Sequence, residues 1–202
     1  MSNRLRWIIV VVALALGGVA ATLLWMLAEP RATTILSTQA STIGGPFTLT
    51  DNKGVRVTDA DYRGRPMLIF FGFTSCPDVC PLTLQKLADA LALAGPMPLE
   101  PRVLMISVDP ARDTPEMLDS YVRSFRDDFI GLTGTEAEID AVVGAYRAYA
   151  KRIDMPDSAM VYTMDHSSFI YVMGADGAFI TVISPDGDAE AMAKALKAAL
   201  LP

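Results

Sequence analysis

Met67-Leu-Ile-Phe-Phe-Gly-Phe73, followed at once by Thr74-Ser-Cys-Pro-Asp-Val-Cys-Pro81, is the stretch of sequence that decides the fold. The first part is a continuous apolar run, and its length and aromatic content predict a strand that is buried on both faces. From Leu84 onward, apolar residues recur at helical spacing, so the strand leads directly into a helix. The two cysteines of the chain, Cys76 and Cys80, therefore lie at a strand-to-helix junction.

The alternation of strands and helices continues beyond this junction. Val103-Leu-Met-Ile-Ser-Val108 predicts a second buried strand, and Thr114-Pro-Glu116 has the N-cap residue and first-turn proline of a helix start. Another helix is predicted at 136–150. The remaining predicted elements are a hairpin at 47–50 and 55–58, strands at 161–164, 169–173 and 179–183, and a final helix at 188–201. Together these elements predict α/β layers in a single domain.

An uncharged apolar run of about twenty residues, Trp7 to Ala28, precedes this domain and has the length of a transmembrane helix. Arg4 and Arg6 before the run favour a cytoplasmic N-terminus and an exported domain. A cleaved signal peptide is the alternative, but its apolar region would normally be only about 7–15 residues long. The sequence therefore predicts a single-pass membrane protein, with a cytoplasmic N-terminus and anchor at 1–30, a linker at 31–45 and an exported domain at 46–202.

The chain carries a net charge of −6, and this acidity makes nucleic acid a poor candidate partner because phosphate backbones are repelled. Export also bears on the cysteines, since disulfides form and persist outside the cytoplasm. Two cysteines are too few for a structural disulfide framework. A pair that stays reduced there needs a dedicated reductant or the protection of a bound metal.

The spacing of Cys76 and Cys80 places them four positions apart at the start of a helix, where residues i and i+4 share a face. Both sulfur atoms can then point at one spot, and a helix N-terminus favours the thiolate form that binds metals or attacks disulfides. The alternative is a pair of buried and inert cysteines. The position at a strand-to-helix junction favours the reactive interpretation.

His166 is the only histidine of the chain and follows a predicted strand. A lone histidine is usually a structural residue, but here it is also the candidate third ligand for a thiolate pair. Two thiolates and an imidazole suit Cu(I) and can accommodate Cu(II), whereas structural zinc ordinarily takes four protein ligands. On spacing alone, a copper site at these three residues is one plausible interpretation beside the structural one.

Other polar and sulfur-containing residues near these motifs are assigned structural roles. Asp78 between the cysteines is expected to cap the new helix rather than to be merely solvated, with tuning of a metal site or contact with a partner as the functional alternative. Three further polar residues are typical of turns and caps, namely Asp109, Arg112 and Asp113. Three methionines before the histidine are interpreted as core residues, although thioethers can also bind Cu(I); they are Met155, Met160 and Met164.

Three segments of the chain closely resemble motifs of the Sco/SenC family, and they occur in the family's order: 71–81, 107–115 and 165–168. The resemblance spans the whole predicted domain, and the apolar run is similar to the family's single N-terminal span. It implies a thioredoxin-like three-layer domain with an N-terminal β-hairpin, and Cys76, Cys80 and His166 as copper ligands. It also implies delivery of copper to the copper A site of cytochrome c oxidase subunit II.

Two functions compete on these residues. The first is a metallochaperone, a metal-binding assembly factor rather than an enzyme, which passes copper on by ligand exchange. The second is a thiol–disulfide oxidoreductase in which Cys76 attacks, Cys80 resolves, and the copper A cysteines of the oxidase are reduced. The usual redox motif is Cys-x-x-Cys, and 165–168 contains no proline facing the cysteines, so the metal-binding interpretation is favoured. Either function calls for further partners, an upstream periplasmic copper donor and a thiol reductant.

A peroxiredoxin-like peroxidase is a third interpretation of the cysteine motif. Proteins of that kind place proline and threonine at fixed offsets before the reactive cysteine. Pro66 and Thr74 do not stand at those offsets from Cys76, and this interpretation is set aside.

Overall fold

The computed structural model describes residues 43–201, and within them one large sheet carries the domain. The predicted anchor at 1–30 and most of the predicted linker at 31–45 lie outside the described residues. The strands are β1 (Thr48–Asp51), β2 (Arg56–Thr58), β3 (Met67–Gly72), β4 (Arg102–Ser107), β5 (Ile130–Thr133), β6 (Ala150–Met155), β7 (Val161–His166), β8 (Ile170–Met173) and β9 (Phe179–Ile183). The α-helices are α1 (Val79–Ala94), α2 (Pro115–Arg123), α3 (Glu136–Ala145) and α4 (Ala189–Leu200). Within 43–201, no helix combines the length and the apolar composition that crossing a bilayer requires.

The main sheet has seven strands in the order β2-β1-β5-β4-β3-β8-β9. β3, β4 and β5 run parallel, and antiparallel strands flank them on both sides. The register of β3 against β4 pairs Met67 with Arg102 and Gly72 with Ser107. The loops that follow β3 and β4 therefore leave the sheet side by side at its carboxyl edge. This edge is where open α/β sheets usually place their functional residues.

Every side chain of β3 is buried, so both faces of the sheet are covered at this strand. An aromatic cluster forms part of this core. Phe71 contacts Tyr146 and Tyr171 with ring centroids 5.7 and 5.6 Å apart, and each pair meets edge to face. α1 packs along α4, and α2 packs against β5. The predicted α/β class, with a buried central strand leading into a helix, is confirmed.

The start of α2 agrees with the capping signal predicted at Thr114–Glu116. The Thr114 side chain accepts a hydrogen bond from the Met117 amide, and Pro115 occupies the first turn of α2. The Asp188 side chain caps α4 in the same way. These local hydrogen bonds satisfy amides that a helix start leaves without an intrahelical partner.

The helix predicted at 136–150 is shorter in the structure. α3 ends at Ala145, and Arg147 then adopts a left-handed backbone with φ of 52°. That conformation breaks the helical path, and the chain enters β6 at Ala150. Strand β6 was not predicted because its side chains are mostly exposed and half of them are charged, without the alternation of a half-buried strand. The short glycine-containing strand β5 also lacks a sequence signal of its own.

β6 and β7 form a separate two-stranded sheet, paired in register from Ala150 opposite His166 to Met155 opposite Val161. Neither strand joins the ladder of the main sheet. His166 is the last residue of β7, so the hairpin carries it towards the carboxyl edge of β3.

Candidate metal site

The loop between β3 and α1 holds both cysteines. The Cys76 amide donates to the carbonyl oxygen of Phe73 at 3.3 Å, which turns the chain immediately after the strand. Cys80 lies in the first turn of α1 and is buried, whereas Cys76 is half-buried. The Cys80 amide donates to the Cys76 sulfur at 3.4 Å. The predicted convergence of the two sulfurs at a helix start is therefore confirmed.

Asp78 occupies the N-cap position of α1, but its side chain accepts no capping hydrogen bond. The prediction that this carboxylate caps the helix by accepting amide hydrogen bonds is therefore wrong. The sulfur of Cys76 accepts from an amide of the first turn in its place. Asp78 is exposed beside the cysteines.

The hairpin brings the histidine to the cysteines. The Nε2 atom of His166 lies 3.3 Å from the Sγ atom of Cys80. One ligand atom from each of Cys76, Cys80 and His166 lies within 4.8 Å of the other two. The three residues that the sequence singled out are thus brought together at one spot.

The imidazole of His166 is held in a defined orientation. Its Nδ1 atom lies 3.1 Å from the carbonyl oxygen of Ser167, which can only accept, so Nδ1 carries the proton and Nε2 presents a lone pair. The ring also stands edge to face against Phe70 and Phe73, at centroid distances of 6.1 and 5.7 Å. A hydrogen bond that fixes the tautomer and an apolar wall that fixes the ring are the usual supports of a metal-binding histidine.

The pKa values of the two thiols are shifted in opposite directions. A hydrogen bond from the Cys80 side chain lowers the pKa of Cys76 well below its ordinary value, although partial burial opposes this effect. The same hydrogen bond and burial raise the pKa of Cys80. The metal-free pair therefore consists of a thiolate at the half-buried Cys76 and a thiol at the buried Cys80.

Gly72 leaves the space in which the sulfur of Cys80 sits. A Cβ atom at this glycine would lie 2.7 Å from Cε1 of Phe70 and 3.1 Å from the Cys80 sulfur. No side chain can be added there unless one of these two groups moves. The sequence reasoning missed this glycine, and the only available signal was a glycine near the end of a buried strand, which often marks a close approach.

Asp113 is buried and ties the loops after β3 and β4 together. Its carboxylate accepts hydrogen bonds from the amide and hydroxyl of Thr74, at 3.0 and 2.6 Å, and from the hydroxyl of Ser107 at 2.6 Å. Burial raises the pKa of this carboxyl, while the hydrogen bonds it accepts act in the opposite direction. Asp113 thus supports the loop that carries the cysteines, as the structural interpretation predicted.

The methionines before the histidine occupy different environments. Met164 lies on β7 and packs against the core, which agrees with its assignment as a core residue. Met160 is half-buried near the hairpin turn. Met155 is 39% exposed at the end of β6, so its assignment to the core is wrong.

The donor set of the cluster is two sulfur atoms and one imidazole nitrogen. Soft sulfur ligands with an imidazole fit Cu(I) better than hard cations such as Mg²⁺ or Ca²⁺. With Cys80 buried, the site opens towards solvent on the side of the half-buried Cys76 and His166. The three side chains could therefore hold a metal ion and still leave it accessible to an incoming ligand.

These features define a class of protein. A mixed sheet with flanking helices, a Cys-x-x-x-Cys loop between the central strand and its helix, and a histidine supplied from a separate hairpin together form a thioredoxin-like domain with a candidate site for a soft metal ion.

The chain belongs to the SCO1/SenC family, whose sequence model matches residues 36–201. It is 44% identical over 140 residues to the mitochondrial SCO1 homolog of Homo sapiens, a match that covers 68% of this chain and 46% of the human protein. The chain thus spans less than half the length of that relative. It is 35% identical to a SCO2-like protein of Rickettsia felis, with 89% of this chain and 90% of the relative covered.

Solved structures with copper bound share the fold. Arabidopsis thaliana ScoI with copper bound has a TM-score of 0.72 and 37% identity, covering 76% of this chain and 95% of that one. Bradyrhizobium japonicum ScoI with copper bound has a TM-score of 0.70 and 44% identity, covering 78% of this chain and 99% of that one. The predicted family and thioredoxin-like fold are confirmed, and copper is the metal found in these relatives.

Proposed function

We propose that this chain binds one copper ion through Cys76, Cys80 and His166 and delivers it to the copper A site of cytochrome c oxidase subunit II. The observation that carries the proposal is the convergence of two sulfurs and one oriented imidazole within 4.8 Å of one another. The copper held by the solved ScoI structures supports the choice of metal.

Delivery would proceed by ligand exchange. Three ligands leave the coordination of copper open to a cysteine thiolate of the partner. Cys76 is the more exposed of the two sulfur ligands, so it would be displaced first. The buried Cys80 would hold the ion until a second partner ligand has bound. Only bonds to the metal are exchanged between the two proteins, and Cys80 takes up a proton from solvent once the ion has left, because its pKa is raised in the metal-free pair.

The proposed setting is the periplasmic side of the inner membrane. Residues 1–30 would anchor the chain, and the domain would face a membrane-bound oxidase. An upstream periplasmic protein would supply the copper, and a thiol reductant would keep the cysteine pair reduced, because disulfides persist in that compartment.

The test is a titration of the reduced, anaerobic full-length chain with Cu(I) against a competing chelator. We expect one tightly bound equivalent, its loss in Cys76→Ser and Cys80→Ser, and weaker binding in His166→Ala. Asp165→Ala is the matched control, because Asp165 neighbours the histidine but is exposed on the opposite side of β7. Full affinity in either serine variant would exclude the three-ligand site. Transfer to a purified copper A domain, followed by its absorption spectrum, tests delivery separately.

A second candidate function, thiol–disulfide exchange, is favoured by the contrasting pKa values of the two cysteines. The Cys76 thiolate would attack a disulfide of the partner, form a mixed disulfide and release one partner thiolate. Cys80 would then lose its proton and attack the Cys76 sulfur, releasing the second thiolate. The chain would end with a Cys76–Cys80 disulfide and the partner with two thiols. Reduction of an oxidised copper A domain by the metal-free chain tests this function.

A further inference from the structure

Within residues 43–201, the hairpin that supplies His166 makes no backbone hydrogen bond to the main sheet, and β7 reaches that sheet only through the short connection at 167–169 to β8. β6 pairs only with β7, and the seven-stranded sheet contains neither strand. An isolated two-stranded hairpin is marginally stable at best in water. The position of His166 relative to the cysteines therefore depends on this connection and on the side chains that fasten the hairpin to the rest of the domain.

Tyr162 on β7 is the centre of one such attachment. The guanidinium carbon of Arg112 lies 3.8 Å from the centroid of its ring, and that of Arg152 lies 3.7 Å from the same centroid. Two groups at these distances must stack on opposite faces of the ring. Arg152 belongs to β6, whereas Arg112 belongs to the loop after β4. The ring is thus held between the hairpin and the main domain, with favourable cation–π contacts on both sides.

Two polar groups of Tyr162, its hydroxyl and its carbonyl oxygen, bind residues of the loop after β4. Its hydroxyl donates to Oδ1 of Asp109 at 2.8 Å, and its carbonyl oxygen accepts from Nη1 of Arg112 at 3.2 Å. Arg112 also donates to the second carboxylate oxygen of Asp109. Asp109 is buried, and its amide donates to the hydroxyl of Ser107 at 3.0 Å. We call this set the tyrosine clamp: Asp109, Arg112, Arg152 and Tyr162.

The geometry points to a positioning role for the clamp: Tyr162 holds β7 so that His166 meets the cysteines, an inference that rests on the proposed copper site. Every second residue of a strand faces the same side, and on β7 these residues are Tyr162, Met164 and His166. The four-residue separation corresponds to about 13 Å of strand. A strand fixed by a stacked and hydrogen-bonded ring at one end places the imidazole at the other.

A second path links the clamp to the imidazole. The guanidinium carbon of Arg112 lies 5.8 Å from the centroid of the Phe73 ring, and that ring lies 5.7 Å from the His166 ring. Phe73 follows β3 directly and precedes the cysteine loop. Arg112 therefore contacts both the strand that carries the histidine and the aromatic ring against which the histidine packs.

The contacts at His166 itself act differently. Beside it, the Ser167 amide donates to the Tyr149 carbonyl at 2.9 Å, and the Tyr149 amide donates to the Ser167 hydroxyl at 2.8 Å. These bonds extend the hairpin by one pair but join only its own two arms. They do not join the hairpin to the main domain, whereas the clamp does so, together with the packing of Met164 against the core.

The experiment compares Tyr162→Ala, Tyr162→Phe and Arg152→Ala in the full-length chain. We expect Tyr162→Ala to weaken Cu(I) binding by roughly tenfold, the scale of losing outer supports of a metal ligand. Tyr162→Phe keeps the stacked ring and loses only the hydroxyl, so it should lose less. Ile153→Ala is the control, because Ile153 lies on the same hairpin, is 39% exposed and takes no part in the clamp.

A positioning role requires that the loss of copper affinity in Tyr162→Ala depends on His166. In a His166→Ala background, we expect Tyr162→Ala to cause no further loss of copper affinity, because a positioning residue has nothing left to position. An equal loss in both backgrounds would overturn the inference. Loss of copper from the cysteine variants, with no effect of His166→Ala, would instead refute the histidine ligand of the proposed function.

A measurement on the metal-free chain separates the inference from copper binding. In the intact protein, the ring protons of His166 should be shifted by the ring currents of Phe70 and Phe73, which stand edge to face against the imidazole. Tyr162→Ala should bring the ring-proton shifts of His166 towards those of a free histidine, because a displaced β7 moves the imidazole away from Phe70 and Phe73, and Ile153→Ala should not. Unchanged ring signals in Tyr162→Ala would overturn the inference. If Tyr162→Ala does not fold, Arg152→Ala gives the same test, since it removes an exposed side chain and one of the two stacked cations.

Discussion

The Nε2 atom of His166 lies 3.3 Å from the Sγ atom of Cys80, although 86 positions separate the two residues in the chain. Cys80 is placed by the junction of β3 and α1, and His166 by the end of β7. Each position is local, but their meeting requires that the β6–β7 hairpin fold back over the carboxyl edge of the sheet. The properties of the site that follow from this meeting can be tested.

We first expect the two cysteines to differ in alkylation by iodoacetamide. The Cys76 thiolate is stabilised by the Cys80 side chain, which lowers its pKa, and thiolate is the reactive form. Its labelling rate should change by less than about twofold between pH 6 and 8, whereas the rate of a free cysteine falls about tenfold per unit below its pKa of about 8.5. Cys80 should label at least about tenfold more slowly, because it is buried and its pKa is raised. Mass spectrometry of the peptides measures both rates.

Cys80→Ala provides the control for this asymmetry. The substitution removes the side chain that donates to the Cys76 sulfur, so the pKa of Cys76 should rise. Labelling of Cys76 at pH 6 should then slow markedly. An unchanged rate would show that the Cys80 hydrogen bond does not determine the acidity of Cys76.

The second prediction concerns the space at Gly72. In Gly72→Ala, the added Cβ would lie within 3.1 Å of the Cys80 sulfur and closer still to Phe70. We expect the free energy of unfolding to fall by about 1–3 kcal/mol, as for other overpacked cores, and copper binding to weaken as the sulfur is displaced. Denaturant titration and Cu(I) competition measure the two effects.

Gly144→Ala is the matched control for that substitution. Gly144 lies in α3, and a Cβ added there meets no atom within 4 Å. Alanine in a helix should stabilise the domain by about 0.5–1 kcal/mol. If both glycine variants changed stability equally, the close approach at Cys80 would not be the cause.

The third prediction concerns the buried carboxyl of Asp113, whose pKa is raised by burial. A carboxyl with a raised folded-state pKa contributes stability below its unfolded pKa, about 3.9, and loses it as the pH rises through the folded value. The stability advantage of the wild type over Asp113→Asn should therefore shrink as the pH rises from about 4. Urea titrations of both proteins across this range provide the measurement. An advantage that grows with pH would contradict the raised pKa.

Much of the site could be predicted from the sequence because its parts are encoded locally. The apolar run at 67–73 and the helical spacing after it predicted β3 and α1 with the cysteines between them. Strand β6 was not predicted because its exposed side chains lack an alternating pattern. It forms a strand only because it pairs with β7. The helical signal at 136–150 extended past Ala145 because nothing in its apolar spacing marks the left-handed residue at Arg147.

Asp78 is a single residue at which the sequence pattern predicted the wrong hydrogen bond. An aspartate before a helix is a good capping residue by sequence. In the folded chain, the Cys76 sulfur accepts from the first-turn amide of Cys80, and the carboxylate remains exposed. Which acceptor binds an amide depends on the path of the loop, and that path is set by the contacts of the whole domain.

The sequence by itself determined the family of this protein, through the motifs at 71–81, 107–115 and 165–168, and it provided two cysteines and one histidine as a candidate soft donor set. Only the tertiary structure decided that they meet, which nitrogen of the imidazole faces the Ser167 carbonyl, and that the Tyr162 hydroxyl binds Asp109. The physical reason is one of distance along the chain. Hydrophobic spacing and capping act over a few residues, whereas the relation of His166 to Cys80 is fixed by packing between elements that are remote in sequence.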